Sequence, residues 1–234
     1  MTISKYVLIL IISLTIAGQS LAAGSGGGGG GAITPTYDSN TRGLSPEQIS
    51  DKSSRSGIKS REKAHKFEAR AEKAKSDKAR TKLLAKAQKA YSKAIEKQSE
   101  ALRVDPKNYK AANELGYALR KTGDYRKAIG AYNYALALNS NFHRATEYRG
   151  EAFLALGMLD LTKSSYLKLF RNDRTLANQL MTTIDKWATA KAEEKSEVEQ
   201  EFLQWITERK RIAEMADKLS MHTPSTDQHH WPSS

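Results

Sequence analysis

Apolar residues recur three and four positions apart through most of this chain, a period that predicts an all-α protein. The pattern is clearest between Tyr109 and Phe142. Ala112, Leu115, Gly116 and Leu119 fall at i, i+3, i+4 and i+7, and Tyr125, Ala128, Ile129, Tyr132, Ala135 and Leu136 repeat the spacing beyond Gly123. The spacing gives a helix, a tight turn and a second helix. Gly116 lacks a Cβ, so the second helix can lie close against the first at that point. Gly123 can take the positive φ that ends one helix before Asp124 begins the next.

Upstream, the period predicts helices from about Ser60 to Lys75 and from about Asp77 to Arg103, with Ser76-Asp77 as break and cap. Phe67, Leu83, Leu84, Ala87, Tyr91, Ala94 and Ile95 give this hairpin a narrow apolar stripe. Ser45-Pro46-Glu47 has the chemistry of a helix start, and Ser53 to Gly57 is expected to interrupt the helix begun there. Asp105-Pro106 stops the long helix, because proline cannot continue the hydrogen-bond ladder. Another pair is expected at about Phe142 to Leu156 and Leu159 to Arg171. Beyond it, Ala177, Leu180, Ile184 and Trp187 form one apolar face, and Val198, Phe202, Trp205, Ile206, Ile212 and Ala213 form another.

Leu115, Gly116, Leu119, Gly123, Asp124, Tyr125, Ala128, Tyr132 and Ala135 resemble the signature of the tetratricopeptide repeat, a 34-residue helix pair. A shift of 34 residues tests this within the chain. Forward, Gly116 meets Gly150, Ala118 meets Ala152, Gly123 meets Gly157 and Tyr132 meets Tyr166; backward, Tyr125 meets Tyr91 and Lys127-Ala128-Ile129 meets Lys93-Ala94-Ile95. The resemblance covers roughly residues 75 to 175, with departures. Lys82 stands where the first repeat should carry its helix-packing glycine, Ala112 where the family often has Trp, and Arg149 where Leu precedes the glycine. Thr162 and Leu169 replace small Ala positions. The resemblance implies a short repeat array with a basic helical hairpin before it and a two-helix cap after it. The expected divisions are 1–22 signal peptide, 23–44 Gly-rich disordered linker, 45–104 basic extension with a degenerate first repeat, 105–175 two repeats, 176–220 capping helices and 221–234 disordered tail.

The amino terminus changes the picture of where such an array would work. Lys5 precedes the apolar run Tyr6 to Ala17, and Ser20-Leu21-Ala22 offers small residues to a signal peptidase. About 12 apolar residues fall short of the roughly 20 that span a bilayer. Cleavage after Ala22 is expected, giving a periplasmic or secreted protein that is not membrane-spanning. The chain contains no Cys, so no lipid-anchor site and no disulfide framework is expected. Gly26 to Gly31 and the adjoining Thr, Pro, Ser and Asn read as a tether.

Charge is concentrated in one place. Between Lys52 and Lys97 stand 16 Lys or Arg against 5 Asp or Glu, and the whole chain of 234 residues has a net charge of only +12. The arm is either a solvated helical face or an attachment to an anionic partner: phospholipid, lipopolysaccharide or an acidic protein. Export argues against nucleic acid, as does the lack of interleaved aromatics.

No catalytic pattern emerges. The sequence has no Gly-x-Ser-x-Gly elbow, no phosphate loop ending in Lys and Ser or Thr, no His-Glu-x-x-His and no thiol, so no enzyme and no cofactor are expected. His222, His229 and His230 could meet a metal only if something folded around them, and a solvated tail with no metal is the expectation. The tyrosines at 91, 125, 132 and 166 are expected to be core. What the resemblance implies is binding: the first helix of each pair lines a concave groove for a peptide or partner helix. Carried over residue by residue, the groove positions are Lys110, Asn113, Tyr117 and Arg120, then Arg144, Glu147, Glu151 and Leu154. Some family members grip a peptide carboxylate there; Glu147 and Glu151 oppose that here, and a mixed-sign groove suits a mixed-sign peptide.

Overall fold

The computed structural model describes residues 43–190 and 196–222, and every regular element among them is an α-helix. The chain divides into two units, Met1–Ser45 and Pro46–Ser234. Of the first, only residues 43–45 are described, with Gly43 at φ 85°. The expected signal peptide, nearly all of the Gly-rich linker, and the tail from 223 with His229 and His230 lie outside the described residues. No described helix is long and apolar enough to cross a membrane.

The second unit contains α1 (Pro46–Glu72), α2 (Asp77–Val104), α3 (Tyr109–Lys121), α4 (Tyr125–Leu138), α5 (His143–Ala155), α6 (Leu159–Asn172), α7 (Arg174–Ala190) and α8 (Glu197–His222). Helices pack as consecutive pairs, and the odd-numbered helices α1, α3, α5 and α7 also meet one another in succession. Local chemistry sets the joints. Gly123 at φ 87° lets its own amide reach the Arg120 carbonyl at 3.0 Å and the Asp124 amide reach Leu119 at 2.9 Å. Gly157 at φ 70° closes α5 the same way. Asn108 and Asp124 then cap α3 and α4 by accepting from Ala111 and Lys127.

Three apolar clusters run along the array. Ala64, Ala87, Ala90, Tyr91 and Ala94 join α1, α2 and Ala118 of α3; Ala112, Ala128, Tyr132, Ala135, Ala145 and Ala152 form the middle; Tyr166, Leu180, Ile184, Phe202 and Ile206 lie in the last. Tyr91, Tyr132 and Tyr166 are fully buried and Tyr125 is half-buried. Thr162 and Leu169 are also fully buried, so the larger residues at those positions are packed rather than displaced. Gly116 faces the Tyr132 ring, and Gly150 faces Leu180 and Ser165.

Several expectations need correction. No break occurs at Ser53 to Gly57; α1 runs unbroken from Pro46. Ser50, Ser54 and Gly57 are buried, and the Gln98 amide donates to the Ser54 carbonyl at 3.0 Å, so packing on α2 outweighs the poor helix propensity of Ser and Gly. Lys82 is exposed in mid-α2 and takes no part in close helix packing. That role belongs to Gly57, where an added Cβ would stand 2.5 Å from Gln98. Gln98, Tyr132 and Tyr166 are spaced by 34, but 41 positions separate Gly57 from Gln98 whereas 16 separate Gly116 from Tyr132. The basic arm is therefore about 25 residues of extra helix inserted inside the first pair, and α1 supplies that pair's first helix. Leu84 and Val198 are exposed instead of joining their stripes, and α8 continues through Ser220 to His222.

Candidate functional site

The odd-numbered helices bring their inner side chains together; charge pairs cross the first two junctions, and hydrogen bonds to charged groups cross the third. From α1 to α3, Arg61 meets Glu114 at 3.0 Å and Glu68 meets Lys121 at 2.9 Å. From α3 to α5, Arg120 pairs with Glu151, both largely buried at 17% and 14% side-chain exposure. From α5 to α7, Arg144 donates to Gln179 at 2.6 Å and the Thr183 hydroxyl donates to Glu151 at 3.0 Å. Two tyrosine rings sit between these charges. The Arg61 and Arg120 guanidiniums lie 5.5 and 5.2 Å from the Tyr117 ring, and Arg120 and Arg144 lie 5.2 and 5.6 Å from Tyr148. The two rings meet edge to face at 5.1 Å.

Burial tunes the ionisable groups. It pushes the Tyr117 phenol up to about 12, so this hydroxyl stays protonated against the His65 ring nitrogen 2.8 Å away. Burial also lowers the His65 imidazole, with Arg61 and Lys121 acting the same way against Glu68, so His65 is neutral at pH 7. For Arg120 burial is the largest influence and opposes the charge, but the Glu151 carboxylate together with the Tyr132 and Tyr117 hydroxyls outweighs it, leaving the guanidinium more firmly protonated than usual. Glu147 is raised to about 7, first by burial and then by the Glu151 charge, with Arg144 at 3.3 Å pulling the other way.

That shift has a measurable sign. A carboxyl raised in the fold from its ordinary 4.5 is uncharged and costs nothing below that value, and its stability contribution is lost as pH rises through about 7. Glu147→Gln is therefore expected to match the parent in thermal melts at pH 4.5 and to exceed it at pH 8.5, by on the order of 1–3 kcal/mol. A gain that is constant across this range would refute the assignment.

Of the sequence-derived groove positions, Tyr117, Arg120, Arg144, Glu147 and Glu151 belong to this connected network. Lys110 stands apart, exposed at the start of α3 over the Tyr109 ring. Asn113 is buried at 3% exposure, and Leu154, also 3%, lies in the core cluster with Tyr166 and Leu180 instead of lining a groove. Arg61, His65, Glu68, Tyr148 and Gln179 were not found from sequence. One signal was present: Arg61 follows Gly57 by four residues, as Arg120 follows Gly116. Among the described residues, no three His, Cys, Asp or Glu side chains gather as a metal site.

Residues 73–141 and 113–161 match a family model described as tetratricopeptide repeat. Among solved structures, the chain is similar to the first TPR of Spaghetti (RPAP3) bound to the HSP90 peptide SRMEEVD. Identity is 24% and the TM-score 0.38, covering 55% of this chain and 95% of that one. It is also similar to the Sgt2 TPR domain from Aspergillus fumigatus at 19% identity and a TM-score of 0.34, covering 73% of this chain and 91% of that one. No curated protein matches the chain.

Proposed function

We propose, from the match of residues 73–161 to the tetratricopeptide-repeat model, that this chain is a non-catalytic interaction scaffold whose odd-numbered helices bind a segment of a partner protein. The observation that supports this most is the inner face itself, where tyrosine rings alternate with guanidiniums and carboxylates across α1, α3 and α5, and Gln179 and Thr183 of α7 extend it. Such a face offers ring surfaces and both signs of charge to a mixed-sign peptide. Its side chains are already held by one another, so little rotamer freedom remains to be lost on binding. Lys110, Arg144 and Gln179 are the outlying groups with room to reach a ligand. The export expected from the first 22 residues would place the partner in the periplasm or outside the cell.

Site-specific photocrosslinking tests the reading. A crosslinker at Lys110 or Gln179 is expected to trap one discrete partner, and Arg144→Ala is expected to reduce the yield severalfold with an unchanged circular dichroism spectrum. Trapping only from Lys168, on the outer helix α6, would sink it.

A further inference from the structure

The side of α1 turned away from α3 forms, with α2, an open cleft of ≈ 700 Å³ walled by lysines. Arg61, His65 and Glu68 point towards α3, and Lys59 and Lys63 lie on the opposite side of the same helix at 100° per residue. Lys86, Lys89 and Lys93 form the facing row on α2, spaced by three and four residues along one helix face. All five are exposed. None of them lies in an ion pair among the described residues. By contrast, Lys97, Lys121, Lys127, Lys163 and Lys210 each hold a carboxylate. Of the arm's five acids, Glu68 is held by Lys121 and Tyr91, Glu96 lies against Lys97 and Asp77 against Arg80, while Glu62 and Glu72 are exposed on α1 and do not line the cleft. The floor is apolar, built on Ala90 and the half-buried Phe67 ring, with the Lys86 ammonium 5.8 Å from that ring.

We propose that this cleft binds an extended acidic peptide segment of a partner protein, with carboxylates along the lysine rows and one apolar side chain against Phe67. Ser56 to Phe67 spans eleven helical steps, about 16 Å at 1.5 Å per residue, which accommodates about five residues of extended chain. The cleft lining contains no arginine. A lysine ammonium is a compact charge that donates to carboxylate or phosphate oxygens from any approach, so the rows set the sign of the ligand and the apolar floor selects a peptide side chain. A flat bilayer would rest on the lysine rims and leave the Phe67 floor unfilled. Single-stranded nucleic acid needs successive rings for stacking, and the lining has one. The site is separate from the inner face of the odd-numbered helices and stands whether or not that face binds peptide.

The experiment is fluorescence anisotropy of the full chain with a labelled, amidated peptide of alternating Glu and Asp around one central Leu. Saturable binding is expected, weakened at least about tenfold by Lys63→Glu with Lys89→Glu. A similar loss is expected when salt is raised until the Debye length falls to about 3 Å. Phe67→Ser should weaken it severalfold, and Lys168→Glu on α6 should leave it unchanged. Phosphatidylglycerol vesicles and oligothymidine serve as parallel probes. Binding of the peptide that ignores the two charge reversals overturns the proposal, as does no binding up to millimolar peptide. Lysine-dependent binding of vesicles or oligothymidine without the peptide also overturns it, in favour of a lipid surface or nucleic acid.

Discussion

Gly116→Val is expected to lower the melting temperature of this protein by about 10 °C, the consequence of roughly 3 kcal/mol of overpacking. A Cβ at this position would stand 2.6 Å from Tyr132 Cε1 and 2.9 Å from Cζ, inside any tolerable contact. The ring cannot move aside, because Tyr132 is fully buried among Ala112, Ala128, Ala135 and Ala145. Either α3 and α4 must separate or the ring must leave its rotamer. Combining Gly116→Val with Tyr132→Leu should recover part of the loss, since the smaller side chain vacates the contested space. Gly130→Ala is the control, as an added Cβ there meets nothing within 4 Å. Melting of Gly116→Val within a degree or two of that control would show that the close approach of α3 and α4 is wrong.

Arg120→Ala should cost about 3–5 kcal/mol, because it strands a carboxylate that the fold has taken out of water. Glu151 keeps the Thr183 hydroxyl as a neighbour, but the guanidinium it faced across the junction is gone and the Glu147 charge still opposes it. The guanidinium also spans the Tyr117 and Tyr148 rings, so its loss removes contact on both sides of the α3–α5 junction. Replacing the pair together, Arg120→Met with Glu151→Met, should restore most of the stability, since two apolar side chains of similar volume need no solvation. Chemical denaturation at pH 7 measures both variants. A single substitution costing less than about 1 kcal/mol would mean the pair is solvated and the inner face more open than described.

The two substitutions probe different levels of the structure, and those levels are unequally visible in the chain. Gly116, Gly123, Ala128 and Tyr132 could be placed from the chain alone, because each acts within one helix pair whose period and turn are written in consecutive residues. The same local spacing located Gly150, Gly157 and Tyr166 one repeat later. Arg120 could be assigned to the inner face, but its partner could not. Nothing local distinguishes Glu151 from Glu147 as the carboxylate that Arg120 reaches, and Leu154 occupies a groove position by register yet turns into the core.

What the sequence by itself determined is the all-α repeat and, from Tyr109 onward, its register and its joints, since a 3.6-residue period and a glycine at positive φ depend only on near neighbours. Only the tertiary structure decided that α1 completes the first pair across a 41-residue gap, and which charges pair between helices. Those facts depend on which surfaces abut after collapse. Packing against Gln98 even carried the helix through Ser53 to Gly57, where local preference would have ended it.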